Sequence, residues 1–181
     1  MTSFLKEKYE KSVKKELQKK FGVKNVMATG KILKVSLNSG IGKYIKEKDA
    51  VDEIFENLKV ISGQKPVFSK SKKSIAGFKI RQNQEVGVAV TLRGERMWHF
   101  LERLISSALP RVRDFRGIEK RNVDEKGNLN MAIKEQIVFP EIVPEAVKTI
   151  FGFQVNVTTS VKTREEGLEL FKLLGFPIKQ D

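Results

Sequence analysis

The sequence predicts an α+β protein with a predominantly antiparallel sheet, helices packed on one face of that sheet, and a second face that is polar. Two observations predict this class. Segments with helical spacing of apolar residues are mixed with segments that alternate at period two. Each predicted strand also shows one polar face, whereas parallel sheets covered on both sides do not. Hydrophobic residues form 40% of the 181 residues and nothing in the chain forces a division, so we expect a single domain over residues 1–181.

Four segments have the apolar spacing of amphipathic helices. In chain order, the predicted helices cover residues 5–21, 49–62, 95–109 and 163–174. A glycine that suits a helix C-cap follows three of them, and Pro110 is expected to end the third. Asp49 is expected to be the N-cap of the second helix, and Thr163 with Glu166 has capping-box spacing at the fourth.

Four other segments alternate apolar and polar residues, as strands with one buried face do. The first buries Leu33, Val35 and Leu37, and the third, NMAIKEQIVF, alternates imperfectly. The predicted outward residues are hydrogen-bond donors with almost no carboxylates: Lys34, Ser36, Asn38, Thr91, Arg93, Lys134, Gln136, Gln154, Asn156 and Thr158. A merely solvated face usually mixes acids and bases, so the pattern favours nucleic-acid binding.

The net positive charge of the chain is large, and it is concentrated in residues 1–136. Thirty-five Lys and Arg against 22 Asp and Glu give a formal net charge of +13. Residues 1–136 hold 30 basic and 16 acidic residues, whereas residues 137–181 hold five and six. Such a field attracts polyanions, and phosphate backbones are the commonest partner. An anionic membrane surface is the rival, but no strongly amphipathic basic helix supports it. The lysines of the first helix form either a solvated face or an RNA contact.

The stretch SKSKKSIAGFKIRQ, residues 69–82, carries five positive charges and no acidic group. It is predicted to be an exposed loop that contacts phosphates. Its aromatic residue, Phe78, either stacks on an unpaired base or folds back onto the core.

Catalytic and metal motifs are missing from the sequence. There is no cysteine, and His99 is the only histidine. The stretch LNSGIGKY departs from a phosphate-binding loop at Leu37 and Tyr44, so Gly40 and Gly42 are interpreted as allowing a tight exit from the first strand. We expect no catalytic residues, metal or cofactor. No run reaches the roughly 20 apolar residues of a membrane span, and the N-terminus lacks a signal-type stretch, so a cytosolic location without a membrane partner is expected.

Five phrases occur in order along the chain: GQKPVFSKSKKSIAGFK, VTLRGERMW, ALPRVRDFRG, AIKEQIVFPEI and KLLGFP. Together they closely resemble the bacterial-type 5S-rRNA-binding ribosomal protein five of the large subunit, over essentially the whole sequence. The resemblance implies a structural, non-enzymatic protein of the cytoplasmic ribosome. It implies 5S rRNA and 23S rRNA as partners in the central protuberance, beside neighbouring ribosomal proteins. It further implies contacts with P-site tRNA through the basic loop and with a small-subunit head protein at the subunit bridge.

The resemblance also implies which residues make these contacts. The matching 5S rRNA segments contain Asn38, Gln64, Lys65, Phe78, Thr91 and Arg93. The matching tRNA-facing loop contains Lys72, Lys73, Ser74, Ile75, Ala76 and Gly77. For a further rRNA contact or the bridge we name the arginines that follow the third helix: Arg111, Arg113 and Arg116.

Two other functions fit the charge less well. A nonspecific single-strand-binding protein needs several exposed aromatic residues for stacking, and the predicted polar face offers few. An enzyme that modifies nucleic acids needs a metal cluster or an activated nucleophile, and the sequence shows neither.

Overall fold

The computed structural model describes residues 3–45 and 47–179. Five strands form one sheet in the order β2-β3-β1-β5-β4, with every neighbouring pair antiparallel. The strands are β1 (Ile32–Gly40), β2 (Val67–Lys70), β3 (Glu85–Leu92), β4 (Leu129–Ile133) and β5 (Phe153–Thr159). The α-helices are α1 (Phe4–Lys8), α2 (Lys14–Phe21), α3 (Lys48–Ser62), α4 (Gly94–Arg103), α5 (Leu109–Arg111) and α6 (Arg164–Leu174). The α+β class and the antiparallel sheet are thus confirmed.

The core lies between one face of the sheet and the helices. Residues of β1, β3, β4 and β5 alternate onto this face and are buried: Val35, Leu37, Val88, Val90, Leu92, Leu129, Met131, Ile133, Val155 and Val157. Apolar residues of the helices join them in one cluster, among them Leu17, Ile54, Leu101 and Phe171. Burial of these side chains is the main favourable term in folding, and it fixes which strand residues face away from the core.

The first helical segment is continuous but changes its pitch. A π-helical stretch, Tyr9–Val13, joins α1 to α2, and Lys14 N donates to Tyr9 O across it. The buried residues recur every four positions, from Leu5 to Leu17. In an α-helix of 3.6 residues per turn, such a repeat drifts by about 40° at each step. The wider π turn offsets part of that drift and keeps the apolar stripe facing the core.

The prediction that Pro110 ends the third helix is wrong, because the helical segment passes through Pro110 and ends at Arg111. Helix α4 continues through a π segment, Leu104–Ala108, into the short α5, which ends at Arg111. A proline inside an α-helix clashes with the carbonyl four residues earlier and lacks an N–H donor. The π turn, in which Leu109 N donates to Leu104 O, changes the local spacing just before Pro110. Arg111 is therefore the last helical residue and not a loop residue.

Three glycine C-caps and one N-cap agree with the sequence prediction, whereas the N-cap predicted at Asp49 does not. Gly22, Gly63 and Gly175 end their helices with positive φ angles, as expected. Thr163 is the N-cap of α6, and its hydroxyl accepts from Glu166 N at 3.4 Å. Asp49 is not an N-cap, because α3 already begins at Lys48. Asp49 lies in the first turn of the helix, where the helix dipole stabilises its negative charge.

Two strand predictions need correction. Leu33 was expected in the core, but it is exposed, because the pairing of β1 with β5 shifts between Ile32 and Lys34. Such an irregularity places an extra residue on one strand, so the residues before it project to the opposite face from the one that simple alternation predicts. The short edge strand β2 was not predicted at all. Its four residues are too few to display a clear alternation.

The connection between β4 and β5 is held in place by side chains. Gln136 is completely buried; its Nε2 donates to Thr149 O at 2.7 Å and its Oε1 accepts from Phe151 N at 2.9 Å. The Glu53 carboxylate on α3 accepts from Lys148 N and Thr149 N. Gln136 was predicted on the polar face, but β4 ends at Ile133 and a 3₁₀ turn carries Gln136 into the interior.

Candidate nucleic-acid interface

The sheet surface that faces away from the core, the polar face, is built from rows of side chains that cross the strands. Directly opposite residues of an antiparallel pair project to the same side. One row crosses four strands through Thr91, Ser36, Asn156 and Asn130. It consists entirely of hydroxyl and amide side chains, which both donate and accept hydrogen bonds.

Two further rows lie beside the first, toward the end of the sheet where β1 ends. The second row crosses all five strands through Val67, Ala89, Asn38, Gln154 and Ala132. A third row contains Ser69, Gly87 and Gly40. On the other side of the first row, Lys34 lies opposite Thr158. Of the strand residues that alternate onto the polar face, the one carboxylate is Glu85, at the start of β3. The face thus combines polar recognition groups with little negative charge.

Asn38 lies in the middle of this surface and is exposed. A Cβ on Gly87 would be in ordinary van der Waals contact with Asn38 Oδ1, at 3.7 Å. Within the described residues, no hydrogen bond reaches the Asn38 side chain. Its amide can therefore donate to and accept from an external partner.

Gln64 has a different environment from Asn38. Its Nε2 donates to Thr91 O at 3.3 Å, and its Oε1 accepts from Arg96 at 3.4 Å. The side chain thus ties the end of α3 to the end of β3, and its amide is engaged within the protein. Thr91 itself is exposed in the first row, and Lys65 and Arg93 are exposed at the same end of the sheet.

Phe78 lies apart from the other predicted 5S rRNA residues. The segment between β2 and β3, residues 71–84 (the basic loop), leaves the sheet at the end opposite Gln64 and Arg93. The eight-residue strand β3, about 23 Å long, separates the two ends. The Phe78 side chain is 75% exposed, so it does not fold back onto the core. The structure places Gln64, Lys65, Thr91 and Arg93 at one end of β3 and Phe78 beyond the other, with Asn38 between them, opposite Ala89.

The basic loop has local order of its own. Ile75 and Ile80 form an antiparallel bridge around a 3₁₀ turn, Ala76–Phe78. Ser74 Oγ accepts from Gln82 N at 3.0 Å, which ties the two arms of the loop together. The residues predicted to face tRNA are all exposed: Lys72, Lys73, Ser74, Ile75, Ala76 and Gly77. No described residue pairs with Lys72 or Lys73, so both ammonium groups are available to an anion.

The predicted arginines lie near the opposite edge of the sheet. Arg111 ends α5, and Arg113 and Arg116 follow it in the connection to β4; all three are exposed. Arg113 lines a small cavity of about 50 Å³ with Lys134 and Glu135. The segment between α5 and β4 therefore passes beside the end of β4, next to the polar face.

Sequence reasoning missed part of the polar face. Asn130 belongs to the first row, and Asn156 Nδ2 donates to its Oδ1 at 2.6 Å. Extending the alternation of β4 backward from Ala132 would have found it. Ser69 was assigned to a loop, but it lies on β2 opposite Gly87.

Two further features of the described part of the chain concern the requirements of a metal site and of a membrane span. Among residues 3–45 and 47–179, no group of three or more His, Asp or Glu side chains is arranged to hold a metal ion. No helix in the same ranges is long and apolar enough to cross a membrane. The fold and surface define a basic α+β protein with an extended polar sheet face, which is typical of proteins that bind structured nucleic acid.

Comparison with known proteins specifies the family. Residues 25–81 match the family model described as ribosomal protein L5, and residues 85–178 match the ribosomal L5P family C-terminus. The large ribosomal subunit protein uL5 of Colwellia psychrerythraea is 48% identical over 172 residues, which cover 95% of both chains. The protein of the same name from Hamiltonella defensa is 46% identical over 95% of this chain and 96% of its own. The chain belongs to the ribosomal protein L5 family.

Family membership confirms the coarser predictions from the sequence. Proteins of this family are structural, RNA-binding components of the large ribosomal subunit that act in translation, and they are not enzymes. The predicted location, the large subunit of the cytoplasmic ribosome, follows from the same comparison.

Proposed function

We propose that the chain binds 5S rRNA through its polar face and touches 23S rRNA within the central protuberance of the large subunit. The observation that carries this proposal is the four-strand row of hydroxyl and amide side chains beside the unengaged amide of Asn38. Hydrogen bonds from amides and hydroxyls to base edges and 2′-hydroxyls distinguish one RNA surface from another. Phosphate contacts from lysine and arginine add affinity but carry no sequence information.

Within this proposal the predicted 5S rRNA residues have unequal roles. Asn38 and Thr91 contact RNA directly from the polar face, with Lys65 and Arg93 on phosphates at one end. Gln64 acts mainly by fixing the end of β3, because both ends of its amide are bonded within the protein. Phe78 stacks on an unpaired base about one strand length away from Arg93.

The basic loop is proposed to contact P-site tRNA. Its tip, residues 72–77, is exposed and extends beyond the end of the sheet, so it can reach an anion that does not lie on the polar face. The ammonium groups of Lys72 and Lys73 have no ion-pair partner among the described residues, which suits phosphate contacts.

The exposed arginines after α4 are proposed to make a further rRNA contact or the contact with the small-subunit head protein at the bridge. Neighbouring central-protuberance proteins are the remaining proposed partners. Arg111, Arg113 and Arg116 are exposed, and Arg113 lies beside the end of β4, which supports this assignment.

Nonspecific binding of single strands remains the alternative function. Such proteins stack successive bases on several aromatic side chains. In the described residues, the exposed large aromatic side chains are Phe4 and Phe78, and they lie on different elements. The polar face has no aromatic residue in its three rows, which favours recognition of a folded RNA.

A binding competition tests the main proposal. Labelled 5S rRNA is held on the protein at moderate salt and challenged with unlabelled 5S rRNA or with an unrelated RNA of equal length. We expect 5S rRNA to compete at a much lower concentration, because shape and base contacts add to the shared phosphate term. Equal competition by the two RNAs would show nonspecific binding.

A deletion tests the role of the loop. Removing residues 72–77 should leave most 5S rRNA affinity, because the polar face is retained. Ribosomes rebuilt with the shortened protein should hold P-site tRNA less well, since a few phosphate contacts are lost. Unchanged tRNA retention together with lost 5S rRNA binding would reverse the two roles.

A further inference from the structure

A concavity of about 410 Å³ lies at one end of the polar face. It is formed where β1 ends and where β4 and β5 meet their connecting segment, and its lining includes Asn38, Gly40, Lys134 and Gln154. This volume falls within the range of sites that hold small molecules, roughly 300–1,000 Å³. The concavity could therefore hold one nucleotide unit.

The polar groups of the concavity are not used by the fold. Asn38 and Gln154 are directly opposite each other on β1 and β5, and no hydrogen bond from a described residue reaches either amide. Asn156 and Asn130, in the neighbouring row, instead bond to each other at 2.6 Å. Lys134 likewise has no ion-pair partner in residues 3–45 and 47–179. Two amides and one ammonium group thus line the same cavity unengaged.

Gly40 is not required by the fold either. Its φ angle is not in the left-handed region, and a Cβ built on it meets no atom within 4 Å. The interpretation that Gly40 is needed for a tight exit from the first strand therefore has no support in its φ angle or its surroundings. Gly152, on the other side of the concavity, differs, because its Cβ would lie 2.9 Å from Ile133 O. Glycine in a strand is less stable than alanine, so a strand glycine without a conformational reason indicates close approach by another molecule.

We propose that this concavity is a subsite for the ribose and phosphate of one nucleotide from a non-helical stretch of the bound RNA. The inference rests on the proposed function and adds Gly40, Lys134 and Gln154 to the contact residues. The ammonium group of Lys134 pairs with the phosphate, and the amides of Asn38 and Gln154 bond to the 2′-hydroxyl and neighbouring oxygens. Absence of a side chain at Gly40 lets the sugar lie against the strand backbone.

Adding side-chain volume at Gly40 separates a contact role from a folding role. Gly40→Ala and Gly40→Val should melt at or above the wild-type temperature, because the space is open and the unfolded chain loses freedom. Affinity for 5S rRNA should nevertheless fall, by roughly tenfold for Gly40→Val and by less for Gly40→Ala. Ala146→Val, on an exposed turn outside the polar face, is the control and should bind like wild type.

The charge contact is tested at Lys134. Lys134→Gln should lower the slope of log affinity against log salt by about one, whereas Lys172→Gln on the helix side should not change it. A folded Gly40→Val that binds 5S rRNA like wild type would overturn the inference; if that variant does not fold, unchanged binding by Gly40→Ala together with an unchanged salt slope in Lys134→Gln would do so. Preference of the wild type for 5S rRNA over unrelated RNA reports separately on the proposed function, so the two failures can be distinguished.

Discussion

Asn38 and Gln64 carry the same functional group in different surroundings. The Asn38 amide is exposed and unengaged within the described chain, whereas the Gln64 amide bonds to Thr91 O and Arg96. A change at Asn38 therefore tests recognition, while a change at Gln64 also disturbs the end of β3. The hydrogen-bond partners of each amide therefore distinguish a residue that contacts RNA from one that positions the protein backbone.

Asn38→Ala should weaken binding of 5S rRNA by about 1 to 3 kcal/mol without changing its salt dependence, because a neutral contact is lost and buried RNA groups are left unpaired. Lys15→Ala, on the exposed side of α2, should at most reduce the salt slope. Titrations at three or more salt concentrations distinguish the two effects. Wild-type affinity in Asn38→Ala would place recognition elsewhere.

Gln136→Ala should destabilise the protein by about 2 to 4 kcal/mol, because it leaves Thr149 O and Phe151 N without their partners in a buried place. Gln154→Ala, an exposed amide on β5, is the matched control and should change stability little. Urea unfolding of both variants measures the difference. Equal stability would show that solvent replaces the lost hydrogen bonds.

At the scale of elements, the sequence predicts what is periodic and misses what depends on distant partners. The alternation of β1 and β5 correctly places Asn38, Asn156 and Thr158 on the polar face. Gln136 was misplaced because its partners lie 13 and 15 residues away, across a connection without regular structure. The concavity was missed for the same reason, since it joins Gly40 to Lys134 and Gln154 only after the strands pair.

The turn before β4 gives an element-scale prediction on pH. Burial raises the pKa of Asp124, but hydrogen bonds from Asn128 N at 2.7 Å and Asn128 Nδ2 at 2.9 Å help to lower it below its ordinary 3.8. A lowered pKa in the folded state contributes stability that is present above the unfolded value and is lost as pH falls through the folded value. Asp124→Asn should therefore lose less stability than wild type below about pH 4. Identical acid unfolding of the two proteins would contradict this.

At the scale of the whole molecule, we propose that residues 1–181 form one domain. The two family models divide the chain near residue 83, yet β1 from the first part lies between β3 and β5 from the second. Because strands from both parts alternate in one sheet, neither part contains a complete hydrophobic core by itself.

Unfolding in urea should accordingly be a single transition. Far-UV circular dichroism reports on all helices and strands, and fluorescence reports on the buried Trp98 of α4. The two curves should coincide, because loss of either part exposes the shared core. Two separated midpoints would indicate independent units and would contradict the single-domain proposal.

Lysine footprinting tests the central claim, that a particular face of the molecule holds the RNA. Lys34 and Lys134 lie at the polar face, whereas Lys15 and Lys172 are exposed on the helices. Each lysine is acetylated in the protein alone and in complex with 5S rRNA, and its reactivity is measured by mass spectrometry. The account predicts strong protection of Lys34 and Lys134 with little change at Lys15 and Lys172. Protection of Lys15 and Lys172 while Lys34 and Lys134 stay reactive would show that the RNA binds the helical side.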